Sequence, residues 1–245
     1  MSGAELVLYE KKGRVAVVKL NRPDLNLVDG VVLNKLSDSL KDAEGDQDIR
    51  CIVLMGAGAK AFSAGIDLKY LSSQSKDGQL KYAELSNNLV YRIAKSDKPT
   101  VAAVHGHVIG LGYMIAMAAD IRVAAQDTTF KIPEVELGMF PGSGLTVVSL
   151  KNAFPPSHLL ELILSSREFD VNRADRLGLV NRIVSLQELE EVALSLAKKI
   201  SMADPNVAVP IKKLIRCYPA TGFDEAEKKE TEMHFDYMKR RFQPN

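Results

Sequence analysis

Two short loops constrain this 245-residue chain more than any other feature. The first is Phe62-Ser63-Ala64-Gly65-Ile66-Asp67, and the second is His105-Gly106-His107-Val108-Ile109-Gly110-Leu111-Gly112. Each is built of small residues, follows an apolar run and precedes a helical pattern. The runs, Cys51–Met55 and Val101–Val104, are continuous rather than alternating, which is the pattern of strands buried on both faces. A helical stripe with spacings of three and four precedes each run: Leu33, Leu36, Leu40 and Ala43 before the first, and Tyr82, Leu85, Leu89 and Ile93 before the second. Strand, glycine-containing turn and helix recurring in this order predict an α/β fold with largely parallel strands. The loops also carry a chemical option. The first N–H groups of a helix have no intrahelical partner, so two such turns can aim backbone donors at one point. A convergent pair of that kind is an oxyanion hole, which stabilises a developing enolate or tetrahedral oxyanion.

The remaining pattern fills in around these loops. Val15–Leu20 reads as a strand that stops at Asn21-Arg22-Pro23, and Asp29 as the cap of the next helix. Ser72–Gly78 is polar and reads as a surface loop. Leu111–Ala119 is apolar on nearly all sides, which predicts a buried helix. Ile121–Ala125 reads as a strand. From about Pro155 helical patterns dominate, over Leu159–Leu164, Leu186–Ile200 and Asp224–Phe242, with Pro205 and Pro210 punctuating the last two. The final helix carries many charges, but Phe235, Met238 and Phe242 form an apolar edge that is expected to meet another subunit or fold back over the core.

Composition excludes several classes. A hydrophobic content of 46% and a charged content of 26% are those of an ordinary globular protein. A net charge of +1 gives no reason to expect nucleic acid or an acidic membrane surface as partner. Cys51 lies in an apolar run and reads as a buried thiol. Neither Cys51 nor Cys217 has metal-ligand neighbours, and His105 and His107 lack a third ligand, so no metal is expected. Gly106, Gly110 and Gly112 miss the dinucleotide-binding spacing. No apolar run approaches the roughly 18 residues of a membrane span. There is no secretory pattern at the start and no peroxisomal tripeptide at the end, so a cytoplasmic location is expected.

Six motifs in order resemble the enoyl-CoA hydratase/isomerase (crotonase) superfamily, from about Tyr9 to Ser201. They are Asn21-Arg22-Pro23 with Asn26 (one position closer than usual), Lys60 to Leu68, Lys98 to Val104 followed by Gly106, Ala119 to Ala124, Pro133-Glu134 with Leu137-Gly138 and Pro141-Gly142-Ser143-Gly144, and Ala174 through Val180. The resemblance implies a spiral of β-β-α units with a core over residues 1–195. It also implies a C-terminal helical trimerisation region over 196–245, and a homotrimer or dimer of trimers. It implies an acyl-CoA thioester substrate and no separate cofactor, since coenzyme A is part of the substrate. The backbone N–H groups of Ile66 and Leu111 would form the oxyanion hole. Ala64, Gly65, Asp67, Leu68, Gly110, Met114 and Gly142 would contact the substrate, and Lys69 is a candidate for a phosphate.

The departure that matters most lies in the central helix. Hydratases of this superfamily carry two glutamates; the first falls here on Met114 and the second on Glu134. A thioether cannot accept a proton or orient a water. A single carboxylate beside an oxyanion hole suits proton abstraction at C2 of a 3-enoyl thioester and its return at C4, and the chain is most like the single-glutamate Δ3,Δ2-enoyl-CoA isomerases. A hydratase working through Glu134, or a non-catalytic acyl-CoA-binding member, are the alternatives. Leu145 and Val147-Val148 replace the glycine and the Gln-Arg pair of many members, which makes the pocket floor more apolar. Glu136, two residues beyond Glu134, would point the other way in an extended segment.

Overall fold

The structure, a computed structural model, describes residues 5–217 and 222–241. In chain order the elements are β1 (Val7–Lys12), β2 (Val15–Leu20), α1 (Gly30–Gly45), β3 (Cys51–Gly56), β4 (Ala61–Ser63), α2 (Leu68–Ser73), α3 (Lys76–Lys95), β5 (Thr100–Val104), β6 (His107–Ile109), α4 (Leu111–Ala118), β7 (Ile121–Ala125) and β8 (Thr129–Lys131). Then come α5 (Leu145–Lys151), α6 (Pro156–Ser165), β9 (Phe169–Asp170), α7 (Val171–Arg176), β10 (Arg182–Val184), α8 (Leu189–Ser201), α9 (Pro205–Cys217) and α10 (Phe223–Arg241).

The strands form two sheets, ordered β1-β2-β3-β5-β7-β10 and β4-β6-β8-β9. Among the named strands, the β1–β2 and β8–β9 pairings are antiparallel and the others parallel. From β3 onward the chain repeats one step: a strand in the large sheet, a short strand in the small sheet, then helix. This is the β-β-α spiral. It stacks the turn after β4 beside the turn after β6, because β4 and β6 are parallel neighbours.

The continuous apolar runs have a structural cause. Alternate residues of β3 and β5 enter two separate cores. Ile52, Leu54, Ala102 and Val104 pack with α1, α3 and α4, while Cys51, Val53, Met55, Val101 and Ala103 pack with Leu189, Ala193 and Ala197 of α8. Burying the larger of these side chains contributes about 1.5–3 kcal/mol each. All eight residues of α4 are buried, as are Leu33, Leu36, Leu40 and Ala43 of α1. The Asp29 side chain caps α1 by accepting from the amides of Val31 and Val32, each at 2.9 Å. Cys51 is a free, buried thiol, and burial pushes its pKa up to about 12.

Two readings of the sequence are corrected. Ser72–Gly78 is not a loop: α2 runs to Ser73 and α3 starts at Lys76, because the Ser75 hydroxyl accepts from the Gly78 amide at 3.1 Å and caps a new helix. Pro210 does not end a helix but lies inside α9. On α10, Met233 and Tyr237 face α9, whereas Phe235 is 61% exposed; Phe242 lies outside the described residues. α8 spans residue 196, and its Ala193 and Ala197 are both buried against the large sheet. α9 is anchored to the core by Lys212, whose Nζ lies 2.6 Å from Asp120 Oδ2 and donates to the Lys98 carbonyl at 2.7 Å. Among the described residues no helix is long and apolar enough to cross a membrane.

Candidate active site

The first loop is held from behind by residues 22–28. Asn26 is fully buried in the left-handed region, at φ 49°. Its Nδ2 donates to the carbonyls of Ala57 and Ala61 at 2.9 and 2.8 Å, and its Oδ1 accepts from the Arg22 amide at 3.0 Å. The Ser63 hydroxyl donates to the Asn26 carbonyl at 2.8 Å and accepts from the Gly65 amide at 3.1 Å. Val28 then forms a parallel bridge with Ile66: the Val28 amide donates to the Gly65 carbonyl at 2.8 Å, and the Asp67 amide donates to the Val28 carbonyl at 3.0 Å. In a planar trans peptide the N–H points opposite to the C=O. Tying the Gly65 carbonyl to Val28 therefore turns the Ile66 N–H away from Val28.

The second loop obeys the same logic. The Gly110 carbonyl accepts the first helical bond of α4, from Met114 at 3.0 Å, so the N–H of Leu111 points out of the helix end. The Gly110 amide donates to the Lys131 carbonyl at 3.0 Å, which ties the turn to β8. The two loops are in backbone contact. Gly65 has φ 87°, and a Cβ there would lie 2.6 Å from the Ile109 carbonyl oxygen and 3.2 Å from the Leu111 nitrogen. Among the described residues neither the Ile66 nor the Leu111 N–H has a hydrogen-bond partner.

Glu134 stands beside this pair. It begins a tight turn in which the Leu137 amide donates to the Pro133 carbonyl at 3.1 Å and the Met139 amide to the Glu134 carbonyl at 2.8 Å. A Cβ on Gly110, which has φ 53°, would lie 3.1 Å from Glu134 Oε1, so a side chain there would crowd the carboxylate. Glu134 is 8% exposed, and its Oε2 is buried without a hydrogen-bond partner. Burial raises its pKa above the usual carboxylate range, offset only in part by a backbone hydrogen bond. The segment is a turn, not the extended strand that the reading of Glu136 assumed. Glu136 nonetheless faces away, with its Oε2 2.6 Å from Lys131 Nζ.

Thus Gly65, Ile66, Gly110, Leu111 and Glu134 come together. Others take different places. Met114 is 1% exposed and packs in the core. Asp67 is buried and occupied: Oδ1 caps α2 at the Tyr70 amide, 3.1 Å away, and Oδ2 accepts from Arg22 Nη2 at 2.7 Å. Leu68 and Lys69 are exposed, and Ala64 is half-buried. The half-buried Gly142 donates its amide to the Phe140 carbonyl at 2.8 Å. Leu145 and Val148 are buried, whereas Val147 is exposed. His105 is buried, which lowers its pKa, and His107 lies 3.2 Å from the Thr129 hydroxyl. Among the described residues no three His, Cys, Asp or Glu side chains are grouped to hold a metal ion. Sequence reasoning missed the roles of Arg22 and Tyr82, whose hydroxyl donates to the Val28 carbonyl at 2.7 Å. The Asn-Arg-Pro motif marked Arg22, but nothing local pairs it with Asp67, 45 positions away.

Known proteins resemble this chain over most of its length. The family described as enoyl-CoA hydratase/isomerase matches residues 10–242. A short-chain-enoyl-CoA hydratase of Clostridium acetobutylicum is 36% identical over 208 residues, 84% of this chain and 79% of that protein. A carnitinyl-CoA dehydratase of Escherichia coli is 31% identical over 224 residues, 91% of this chain and 85% of that protein. The crystal structure of an enoyl-CoA hydratase from Bacillus anthracis superposes with a TM-score of 0.89 at 25% identity, covering 94% of this chain and 90% of that one. DspI of Pseudomonas aeruginosa gives 0.88 at 27% identity, covering 96% and 91%. In fold and in sequence, this chain belongs to the enoyl-CoA hydratase/isomerase family, whose members act on acyl-CoA thioesters.

Proposed function

We propose that the protein is an enoyl-CoA isomerase that moves a 3-enoyl-CoA double bond to the 2-position. What supports the reading is one buried carboxylate, Glu134, beside Gly110 and so next to the start of α4, while Met114, which the resemblance puts in the place of the hydratases' first glutamate, is a thioether buried in the core. The other acids flanking these loops are occupied, Asp67 by Arg22 and Glu136 by Lys131.

The thioester carbonyl oxygen sits between the N–H groups of Ile66 and Leu111. Ionised Glu134 takes a proton from C2, and the C2–H electron pair delocalises onto that oxygen as an enolate. The electrons return through C2, the C2=C3 bond forms as C3=C4 is lost, and Glu134 gives the proton to C4. One group serves as base and then acid, so no water is added or lost and no cofactor is required beyond the CoA carried by the substrate. An oxyanion donor contributes about 10²–10³-fold and a positioned acid/base about 10²–10⁴-fold.

A second reading has a specific observation in its favour: the relatives above are named for hydration and dehydration. On that reading Glu134 alone activates a water for addition to a 2-enoyl thioester. The same protein is proposed to assemble as a homotrimer or dimer of trimers through its C-terminal helical region, where Met202, Ile211, Ile215 and Phe235 are exposed. Sedimentation of a single monomeric species at micromolar concentration would refute that.

The test compares wild type and Glu134→Gln on 3-hexenoyl-CoA and crotonyl-CoA by the absorbance of the conjugated thioester. Gain of absorbance from the 3-enoyl substrate, lost in the variant, is the expected result. Rapid loss of absorbance from crotonyl-CoA, with none gained from 3-hexenoyl-CoA, would replace the isomerase with the hydratase.

A further inference from the structure

The Ile66 amide is aimed by its bridge to Val28, so whatever holds those two segments together sets the oxyanion hole. One side chain spans both. The Arg22 guanidinium donates through Nη2 to Asp67 Oδ2 at 2.7 Å, on the residue after Ile66. Through Nη1 it donates to the Leu27 carbonyl at 3.2 Å and lies 3.4 Å from Asp29 Oδ2, on the residues either side of Val28. Asp29 and Asp67 in turn cap α1 and α2. The fork therefore fastens two helix starts and both sides of the Val28–Ile66 bridge with one planar group. Its rigid, divergent donors make that possible, and a lysine ammonium could not reproduce them. Arg22 itself is on the far side of the bridge from the direction in which the Ile66 N–H points, so it does not contact the reacting atoms.

We infer that Arg22, acting through Asp67 and the Leu27–Asp29 segment, is a positioning residue for the Ile66 oxyanion donor. The inference rests on the oxyanion-hole part of the proposed function, not on isomerisation as such. It predicts an effect on transition-state stabilisation rather than on substrate affinity, because the enolate oxygen needs the donor at full strength while the neutral carbonyl needs it less.

The clean variant is Asp67→Asn. Asparagine is as good a helix cap as aspartate, so the Tyr70 amide keeps its acceptor while the charged link to Arg22 is lost. Arg22→Met is the companion. Two quantities are read. One is kcat against KM on 3-hexenoyl-CoA. The other is the red shift of a bound cinnamoyl-CoA carrying a para-dimethylamino group, a chromophore whose absorbance moves to longer wavelength as its thioester carbonyl is polarised. A purely structural role would lower melting temperature without moving the bound spectrum of the folded protein. Both variants are expected to lose roughly 10- to 100-fold in kcat, as a donor displaced by a fraction of an ångström should. KM should stay within about threefold, and the red shift should shrink. A full red shift and full kcat in both variants overturns the inference, as does a rise in KM alone. A wild-type protein that binds the chromophore with no red shift overturns the hole and Arg22's role together. A wild-type red shift that both variants reduce, with no isomerisation of 3-hexenoyl-CoA by any of them, upholds the inference and removes only the isomerase reading.

Discussion

Gly65→Ala tests whether the two loops really form one device. At φ 87° an alanine pays the left-handed penalty of about 1–2 kcal/mol. Its Cβ would stand 2.6 Å from the Ile109 carbonyl oxygen, where ordinary contact begins at 3.4 Å. About 0.8 Å must therefore be found between the loops, and forcing such an extra methyl into packed structure costs about 1–3 kcal/mol more. The combined loss, about 2–5 kcal/mol, is a large part of the 5–15 kcal/mol typical of a folded domain. The catalytic consequence is separate. Moving Ile66 and Leu111 apart by that distance takes at least one donor outside the 2.7–3.1 Å range an oxyanion requires, and displacements near 1 Å cost about 100-fold in rate.

Gly58→Ala supplies the control. Gly58 has φ 80°, but a Cβ there would meet nothing within 4 Å. It therefore carries a similar backbone penalty without touching the hole. The assay follows the conjugated thioester formed from 3-hexenoyl-CoA, with circular dichroism at the assay temperature to show that each variant is folded. The expected result is about a 100-fold lower kcat for Gly65→Ala and less than about a threefold change for Gly58→Ala. Folded Gly65→Ala at near wild-type rate, or an equal loss in Gly58→Ala, would refute the assignment of the hole to these loops.

Two further predictions concern buried charge. Because burial holds the Glu134 pKa above its ordinary value of 4.5, activity should fall on acidification with a midpoint above 4.5, read from kcat/KM against pH. The same shift has a stability sign: the folded state holds the proton more tightly than the unfolded one, so wild type loses stability as pH rises from the ordinary glutamate range through the raised value. Glu134→Gln should lack that decline, and melts at pH 4 and pH 8 that differ between the two proteins by the same amount would count against it. Asp120 is the second site. It accepts from the Thr100 amide at 2.8 Å and faces Lys151 and Lys212 at 3.0 and 2.6 Å. Burial raises its pKa, but the two ammonium groups outweigh that and hold it below the usual range. Asp120→Asn leaves both ammonium groups without a carboxylate and should cost about 3–5 kcal/mol in denaturant unfolding; a loss below about 1 kcal/mol would show that water and their carbonyl acceptors already compensate them.

The parts of the fold that repeat, and the parts that turn, were legible in different degrees. β3, β5 and the buried α4 announced themselves because each is apolar throughout and long enough to carry a period. The small-sheet strands β4, β6, β8 and β9 have two or three residues each, too few for alternation to be visible. The cap at Ser75 was hidden for a related reason: a polar stretch looks like a loop whether its serine caps a helix or faces water. In the site, Gly65 and Gly110 as substrate contacts and Glu134 as the acid/base were readable only through the family's motifs, since a carboxylate after a proline at an element boundary is otherwise an ordinary helix-start residue. Arg22 was not, since its partner lies 45 positions away and only the parallel bridge between Val28 and Ile66 brings the two segments together. Asp67 was assigned to the substrate for want of that contact.

A single carboxylate serving two carbons makes a stereochemical demand that two carboxylates would not. If Glu134 both removes the C2 proton and returns it at C4, both carbons must meet it from one face of the extended acyl chain. The proton it holds in between sits on a group that is 8% exposed, one oxygen of which has no other hydrogen-bond partner. Exchange of that proton with solvent then competes with collapse of the enolate, and burial slows the exchange. A 3-enoyl-CoA deuterated at C2 should therefore yield product carrying deuterium at C4, by mass spectrometry and NMR after a single turnover in ordinary water. Complete washout with full activity would mean that solvent reaches the carboxylate during each cycle. In that case a water reaches Glu134 at the reacting carbons, and on the isomerase reading it is the thioether of Met114, not a dry site, that would have to withhold hydration.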